Sequence, residues 1–590
     1  MSILSALSDR HGRLMARLQV AGMPPSFTED EAPLRAELFS ADQMALHGRT
    51  LAGIHHLAEV RLPDRLLARL TDNERTLFSV CRLLTDAVAE GRRISPAGEW
   101  LLDNFYLIEE QIRMARRLLP EGYSRELPSL DGAAAGRPRV YDIALEIIAH
   151  GDGRLDAEGL ARFVAAYQTL TPLRLGELWA IPIMLRLALI ENLRRVCVRI
   201  AAGWVERELA GSWADQLSRA AETAPEHLIL VVADMVRSEP PMVGAFVAEL
   251  ARRLQGRGPA LALALNWVEQ RLAQSGLTTA SLVQAENQRQ AADQVSIGNS
   301  IGSLRVLGAM DWQDFVESLS LVEQTLRGDP GGVYGRMDFA TRDRYRHATE
   351  EIARQGCLSE GEVARQAVDR ARAAAPDSRA GHVGFHLVDA GRGTLEAASG
   401  VRIGWWQRMG RAAERMPLPL YLGAIALITA AATAGLLTFA LDAGLTGQGS
   451  LLLLLFGLPA VLVSSQMAVS LVNWLVTLTV APRPLPRMDF SEGIPPASRT
   501  LVVVPTMLGT AAGVDSLLEA LEIRFLANRD DCVHLGLLTD FLDASSETLP
   551  GDGALVARAR AAIEALNATY APAGRDRFFL FHRARQWNEL

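Results

Sequence analysis

Two long runs without a charged residue decide most of what this chain can fold into. Residues 418–441 read LPLYLGAIALITAAATAGLLTFAL and residues 451–480 read LLLLLFGLPAVLVSSQMAVSLVNWLVTLTV, 24 and 30 residues long. About 20 apolar residues cross the hydrocarbon core of a bilayer, so each run predicts a membrane span and the lipid bilayer is an expected partner. Ser464, Ser465, Gln466 and Asn473 are polar positions in the second run, and such groups face a neighbouring helix rather than lipid. The connector from Asp442 to Ser450 holds no arginine, whereas Arg408, Arg411 and Arg415 precede the first run and Arg483 and Arg487 follow the second. The positive-inside rule then puts both flanks in the cytoplasm and the connector outside.

Residues 1–400 predict a large, mainly α region. The N-terminal MSILSALSDRHGRLMARLQ has no apolar stretch of the kind a signal peptide needs. Leu, Ala, Ile and Val recur at three- and four-residue spacing over 64–91, 99–119, 156–169, 174–209, 212–237, 240–274 and 278–327, with Arg and Glu on the opposite faces. Ser95 followed by Pro96 suits a helix start. Leu178–Ile190 is apolar but short and is broken by Arg186, which predicts a buried core helix. Trp100, Phe105 and Tyr106 read as core aromatics and Glu109-Glu110 as a solvated face or an arginine partner rather than a catalytic pair. The alternating charges of Arg336, Asp338, Arg342, Asp343, Arg344 and Arg346 predict an ion-pair network between helices.

Residues 401–417 form a basic juxtamembrane segment before the hairpin, and 481–498 a proline-rich linker after it, in which Pro482, Pro484 and Pro486 forbid a helix. Beyond it the pattern changes. Arg499–Pro505 is a β-branched run ending in proline, a buried strand and its exit turn. An amphipathic helix over 513–527, a strand over His534–Asp540, a helix over 552–570 and a strand over Asp576–His582 complete a β-α-β-α-β series. Such alternation means parallel strands joined by right-handed crossovers, so 499–590 reads as the opening of a Rossmann-like α/β domain. Ligands of open parallel sheets bind beyond the C-terminal strand ends. The residues there are Pro505 and Thr506 after the first strand and Asp540 and Asp543 after the second. A carboxylate in that place either accepts hydrogen bonds from a nucleobase or ribose or caps the following turn.

Composition narrows the chemistry. All 60 basic residues are arginine, which excludes P-loop nucleotide hydrolysis, pyridoxal Schiff bases, lysine aldolases and kinase sites. A net charge of -8 gives no reason to expect nucleic acid. Four scattered cysteines and 11 histidines form no metal-binding spacing, and no GxGxxG motif is present.

LVVVPTML, LGLLTDFLDA and RFFLFHRARQWN resemble the opening of the family 84 glycosyltransferase domain of cyclic β-1,2-glucan synthases. ISPAGEWLLDNFYLIEEQI (94–112), RPRVYDIALEIIAH (137–150), LRLGELWAIPIMLRLALIENLRR (173–195), VYGRMDFATRDRYRH (333–347) and NWLVTLTVAPRPLPRMDFSEGIP (473–495) are similar to stretches upstream of that domain, so the resemblance covers about residues 90–590. It implies a multi-pass enzyme of a bacterial inner membrane that transfers glucose from UDP-glucose into a protein-bound β-1,2-glucan and cyclises it. It implies a GT-A fold and a divalent metal, Mg or Mn, held by an Asp-x-Asp motif. No such motif follows residue 499. The expectation is therefore an N-terminal portion that holds no metal, leaves the catalytic residues to the remaining C-terminal part and does not turn over alone. Because the family builds glucan on protein, Tyr570, the one tyrosine beyond the hairpin, is the candidate attachment point. The other class left open is a membrane-anchored helical scaffold with no nucleotide-sugar turnover.

Overall fold

The computed structural model describes residues 32–58, 65–120, 122–375, 378–402, 404–405, 408–411, 416–442, 450–480, 482, 484–571 and 575–588. The chain's first residues, Arg415, Arg483, the connector 443–449 and residues 572–574 lie outside them. The chain forms two compact units, Met1–Thr325 and Leu326–Leu590, so the division falls inside the region read as 1–400.

The first unit is helical and is organised on Leu175–Thr223, a helix of 49 residues, about 74 Å long at its rise per residue. Leu66–Ala89, Arg139–Gly151, Gly244–Leu254 and Thr279–Ala309 pack on it. The 178–190 stretch is a buried core helix, as expected: Met184, Leu185, Ala188, Leu189 and Ile190 are fully enclosed. Arg186 is tolerated there because its Nε donates to Gln111 Oε1 at 2.6 Å. Arg139 and Glu177, both buried, form a bidentate pair at 2.8 and 2.5 Å. Ser95 caps Pro96–Asp103, with Pro96 in its first turn.

Three expectations are corrected here. The helix drawn over 99–119 is broken at Asn104, whose side-chain amide donates to the Trp100 carbonyl at 2.9 Å while its oxygen accepts from Arg305 at 2.7 Å. The helix drawn as ending at 209 runs on through Gly211 to Thr223, and the Arg253 guanidinium packs against Gly211, where a Cβ would lie 3.1 Å from it. Trp100 and Tyr106 are not core residues, being 44% and 64% exposed, while Phe105 packs edge-on to Phe78.

In the second unit, helices Phe339–Gln355, Glu360–Ala373, Val383–Val388 and Arg392–Ala398 precede the hairpin. Within the charge alternation of 336–346, Asp338 caps the helix through the Thr341 N–H, Arg346 donates to Asp343, and Arg344 donates to the Pro484 carbonyl at 2.9 Å. Pro417–Asp442 and Ser450–Thr479 pack together and are long and apolar enough to cross a membrane. Ala460, Ser464, Ala468 and Val472 recur every four residues and are buried, and Tyr421 donates to Asn473 Oδ1 at 2.8 Å across the pair. Gln466 is exposed and Ser465 bonds within its own helix. The linker after the hairpin docks back: Met337 pairs with Met488, the Asp338 N–H donates to the Arg487 carbonyl at 3.0 Å and the Asp489 N–H to the Arg336 carbonyl at 2.8 Å.

A three-stranded parallel sheet follows, β1 Thr500–Leu508, β2 Val533–Phe541 and β3 Phe578–His582, in the order β1-β2-β3. Helices Ala511–Ala527 and Asp552–Tyr570 form the crossovers. Leu518, Leu521, Phe525, Leu535, Leu537, Ile563 and Phe578 form its core.

Candidate functional site

Pro505 was expected to close the first strand, but β1 runs through it to Leu508, in register with β2 from Thr500↔Val533 to Leu508↔Phe541. Among the described residues β1 has β2 as its single neighbour, and a sheet margin accommodates a residue without an N–H. Pro505 and Thr506 are thus strand residues opposite Leu538 and Thr539, and Asp540 is the penultimate residue of β2, opposite Met507. They lie towards the C-terminal end of the sheet, where the topology places ligands.

Pro505, Thr506 and Asp540 come together there around a cavity of about 410 Å³, completed by Met507, Leu538, Thr539 and Arg583. Asp543 is exposed and does not line it. The Asp540 carboxylate is engaged on both oxygens: Oδ1 accepts the Phe541 N–H at 2.9 Å, and Oδ2 accepts Arg583 Nε at 2.9 Å and the same guanidinium's Nη2. The hydrogen bond from Arg583 holds the Asp540 carboxyl below its ordinary range. The Arg583 N–H donates to the Thr539 carbonyl at 2.9 Å, which prolongs the β2–β3 ladder and fixes the base of this side chain at the cavity rim. Arg585 ties down the loop after β2: it donates to the Leu542 carbonyl at 2.9 Å and to Asp552 at 3.0 Å, and its guanidinium lies 5.0 Å from the Phe541 ring centroid.

Arg583 and Arg585 lie in RFFLFHRARQWN, where the sequence pattern alone assigns neither a role. The available signal was two arginines directly following a strand that ends beside the candidate carboxylates. Asp540 is the one carboxylate lining this cavity and Asp543 stands away from it, so among the described residues this edge does not bring together the pair of carboxylates that a divalent metal would need.

Tyr570 is not brought to this site. It ends the helix that returns to the N-terminal edge of the sheet, the length of β2 away, about 25 Å. Its hydroxyl donates to Glu522 Oε1 at 2.5 Å, a bond that raises the phenol's pKa, and its ring packs 5.3 Å from that of Phe525. It lines a separate cavity of about 1130 Å³ with Gly493, Asp530 and Arg577. In the first unit a cavity of about 600 Å³ is lined by Arg199, Glu206, Arg207, Glu286, Arg289 and Asp293. Burial, and then the neighbouring Glu286, push Glu206 up to about 7.

No family model matches the chain. Compared with curated proteins, it is 34% identical over 565 residues to the cyclic beta-(1,2)-glucan synthase NdvB of Rhizobium meliloti (strain 1021), an alignment covering 94% of this chain and 20% of that protein. The chain thus spans about a fifth of the length of the relative it matches. The resemblance carried by the sequence blocks therefore extends over almost the whole chain, which is similar to a fifth of that synthase.

Proposed function

We propose that this chain is the N-terminal, membrane-anchored portion of a glycosyltransferase that uses UDP-glucose to build cyclic β-1,2-glucan. In this reading the helical regions and the sheet lie on the cytoplasmic side of a bacterial inner membrane. The sheet is the opening of a GT-A domain. The observation that carries it is the cavity at the C-terminal sheet edge, where Asp540, Thr506 and Arg583 converge. Asp540 offers acceptors to a ribose or uracil, and Arg583 has the planar fork that suits a diphosphate. Donor binding exchanges the Asp540–Arg583 pair for contacts of each group with the nucleotide. A metal, the catalytic base and the acceptor site belong to the remaining part of the synthase, so the chain alone binds the nucleotide without turnover. Tyr570 acts here as a packing residue, and Tyr570→Phe in a complete synthase leaves the load of protein-linked hexose normal by mass spectrometry.

Calorimetry with UDP on the detergent-solubilised chain tests this reading. Binding that falls at least tenfold in Asp540→Asn and is unchanged in Asp543→Asn is the expected result. Absence of UDP binding by the folded wild-type chain would favour the second reading, a membrane-anchored scaffold. One observation favours that reading: Asp540 already has its partner in Arg583.

A further inference from the structure

The first unit assembles a group of metal donors that no sequence spacing announces. His47 comes from helix Ala41–Ile54, and Glu146 and His150, one turn apart, come from Arg139–Gly151. Their ligand atoms lie within 4.8 Å of one another. His47 Nε2 is 2.9 Å and His150 Nε2 3.5 Å from the same oxygen, Glu146 Oε2. A tetrahedral site with metal–nitrogen bonds of about 2.0–2.1 Å needs ligand–ligand separations of roughly 3.3 Å, so small side-chain shifts suffice.

The surroundings orient the donors. His150 Nδ1 lies 2.7 Å from the Glu37 carbonyl, an acceptor, so the proton resides on Nδ1 and the lone pair of Nε2 is turned towards Glu146. Phe39 stacks on the His150 ring at 3.9 Å and meets His47 edge-on at 5.4 Å, walling one side with apolar surface. The segment bearing Glu37 and Phe39 is itself pinned to the end of the helix: the Ala36 N–H donates to the Ala149 carbonyl at 3.0 Å and the Phe39 N–H to the His150 carbonyl at 3.2 Å. All three ligating side chains are partly accessible, at 21%, 35% and 12% exposure, which leaves an entry path.

We propose that His47, Glu146 and His150 bind one divalent transition-metal ion of the Zn²⁺ class through two imidazoles and a carboxylate, and that this ion clamps helix Ala41–Ile54 to helix Arg139–Gly151. Imidazole donors select such ions over Mg²⁺ or Ca²⁺. The ion takes the place of the hydrogen bond between His47 Nε2 and Glu146 Oε2. The site is remote in sequence from the sheet-edge cavity, and its test does not involve a nucleotide.

The chelator-stripped 590-residue chain in detergent is titrated with Co²⁺ and with Zn²⁺. The expected result is one equivalent of Co²⁺ with the visible absorption of a four-coordinate ion, and a rise in Tm with Zn²⁺ but not with Mg²⁺. His47→Gln and His150→Gln each weaken binding at least tenfold and abolish the Tm rise. Far-UV dichroism in chelator checks that they fold. Glu146→Gln, which still offers the imidazoles a hydrogen-bond partner, is the further variant and weakens binding likewise. Lack of binding to the wild-type chain, or undiminished affinity in the folded variants, overturns the proposal and leaves a hydrogen-bonded clip.

Discussion

Glu191 shows how this protein handles a charge inside a helical core. Burial acts to raise its pKa, but a hydrogen bond from Arg69 and the charges of Arg194, Arg69 and Arg195 outweigh it and bring the group from 4.5 to about 2. A folded value below the ordinary one stabilises above pH 4.5, and the stabilisation is lost as pH falls towards 2; the shift corresponds to about 3 kcal/mol. Glu191→Gln is expected to lower stability at neutral pH by that order and to flatten the acid limb of a urea-unfolding profile. Glu206 has the opposite sign. Its value is raised from 4.5 to about 7, so its contribution is present below pH 4.5 and lost as pH rises through 7. Glu206→Gln should raise stability at pH 8 relative to wild type and leave it little changed at pH 4; an equal effect at both would contradict the assignment. Neither glutamate was singled out in the sequence. Each lies in an ordinary helical pattern, and only the packing of other segments around it creates the environment that shifts it. Asp540 was legible because strand order alone places it, whereas its partner Arg583 depends on where β3 ends.

At the scale of elements, apolar periodicity located the helices and strands well and their limits poorly. The two membrane-length helices, Pro417–Asp442 and Ser450–Thr479, each end within a residue of the charge-free runs. The errors came from residues with two uses. Asn104 lies inside the apolar pattern of 99–119, but it bonds back to Trp100 and out to Arg305. Gly211 falls between two apolar stretches, yet the helix continues through it and Arg253 packs against it. Asn104→Ala leaves Arg305 without this acceptor and should cost about 1–3 kcal/mol in denaturant unfolding; a neutral result would show that the break is set by backbone packing alone. In the hairpin, the Ala460, Ser464, Ala468 and Val472 stripe makes a seam of small and β-branched side chains. Ser464→Leu is expected to force the helices apart, reported as loss of a cysteine cross-link between positions 421 and 473. Retention of that cross-link would argue against close packing along the seam.

At the scale of the molecule, the proposed arrangement across a bilayer has a direct test, and burial decides its design. Cys532 is buried and stays silent towards a thiol reagent whichever side it occupies, whereas Cys357 is exposed. A cysteine at Thr446 should react with an impermeant reagent from the face opposite to the one from which Cys357 reacts. Reaction of both from one face would overturn the hairpin. The sequence made the two apolar helices and the parallel sheet legible because each rests on a run of residues. The first unit was legible only as helices, because its assembly rests on distant pairs such as Arg139–Glu177 and His47–Glu146.

The docking of the linker has a consequence of parity. Residues 336–338 precede both apolar helices and residues 487–489 follow them, yet the two stretches pair backbone to backbone. A chain that leaves a surface and returns to hydrogen-bond with its own point of departure crosses any layer between an even number of times. The pairing also sets an order of assembly. Met337 is made about 150 residues before Met488, so this edge waits, open, through the synthesis of both apolar helices. The contact closes only once the second helix has been made and the chain has come back.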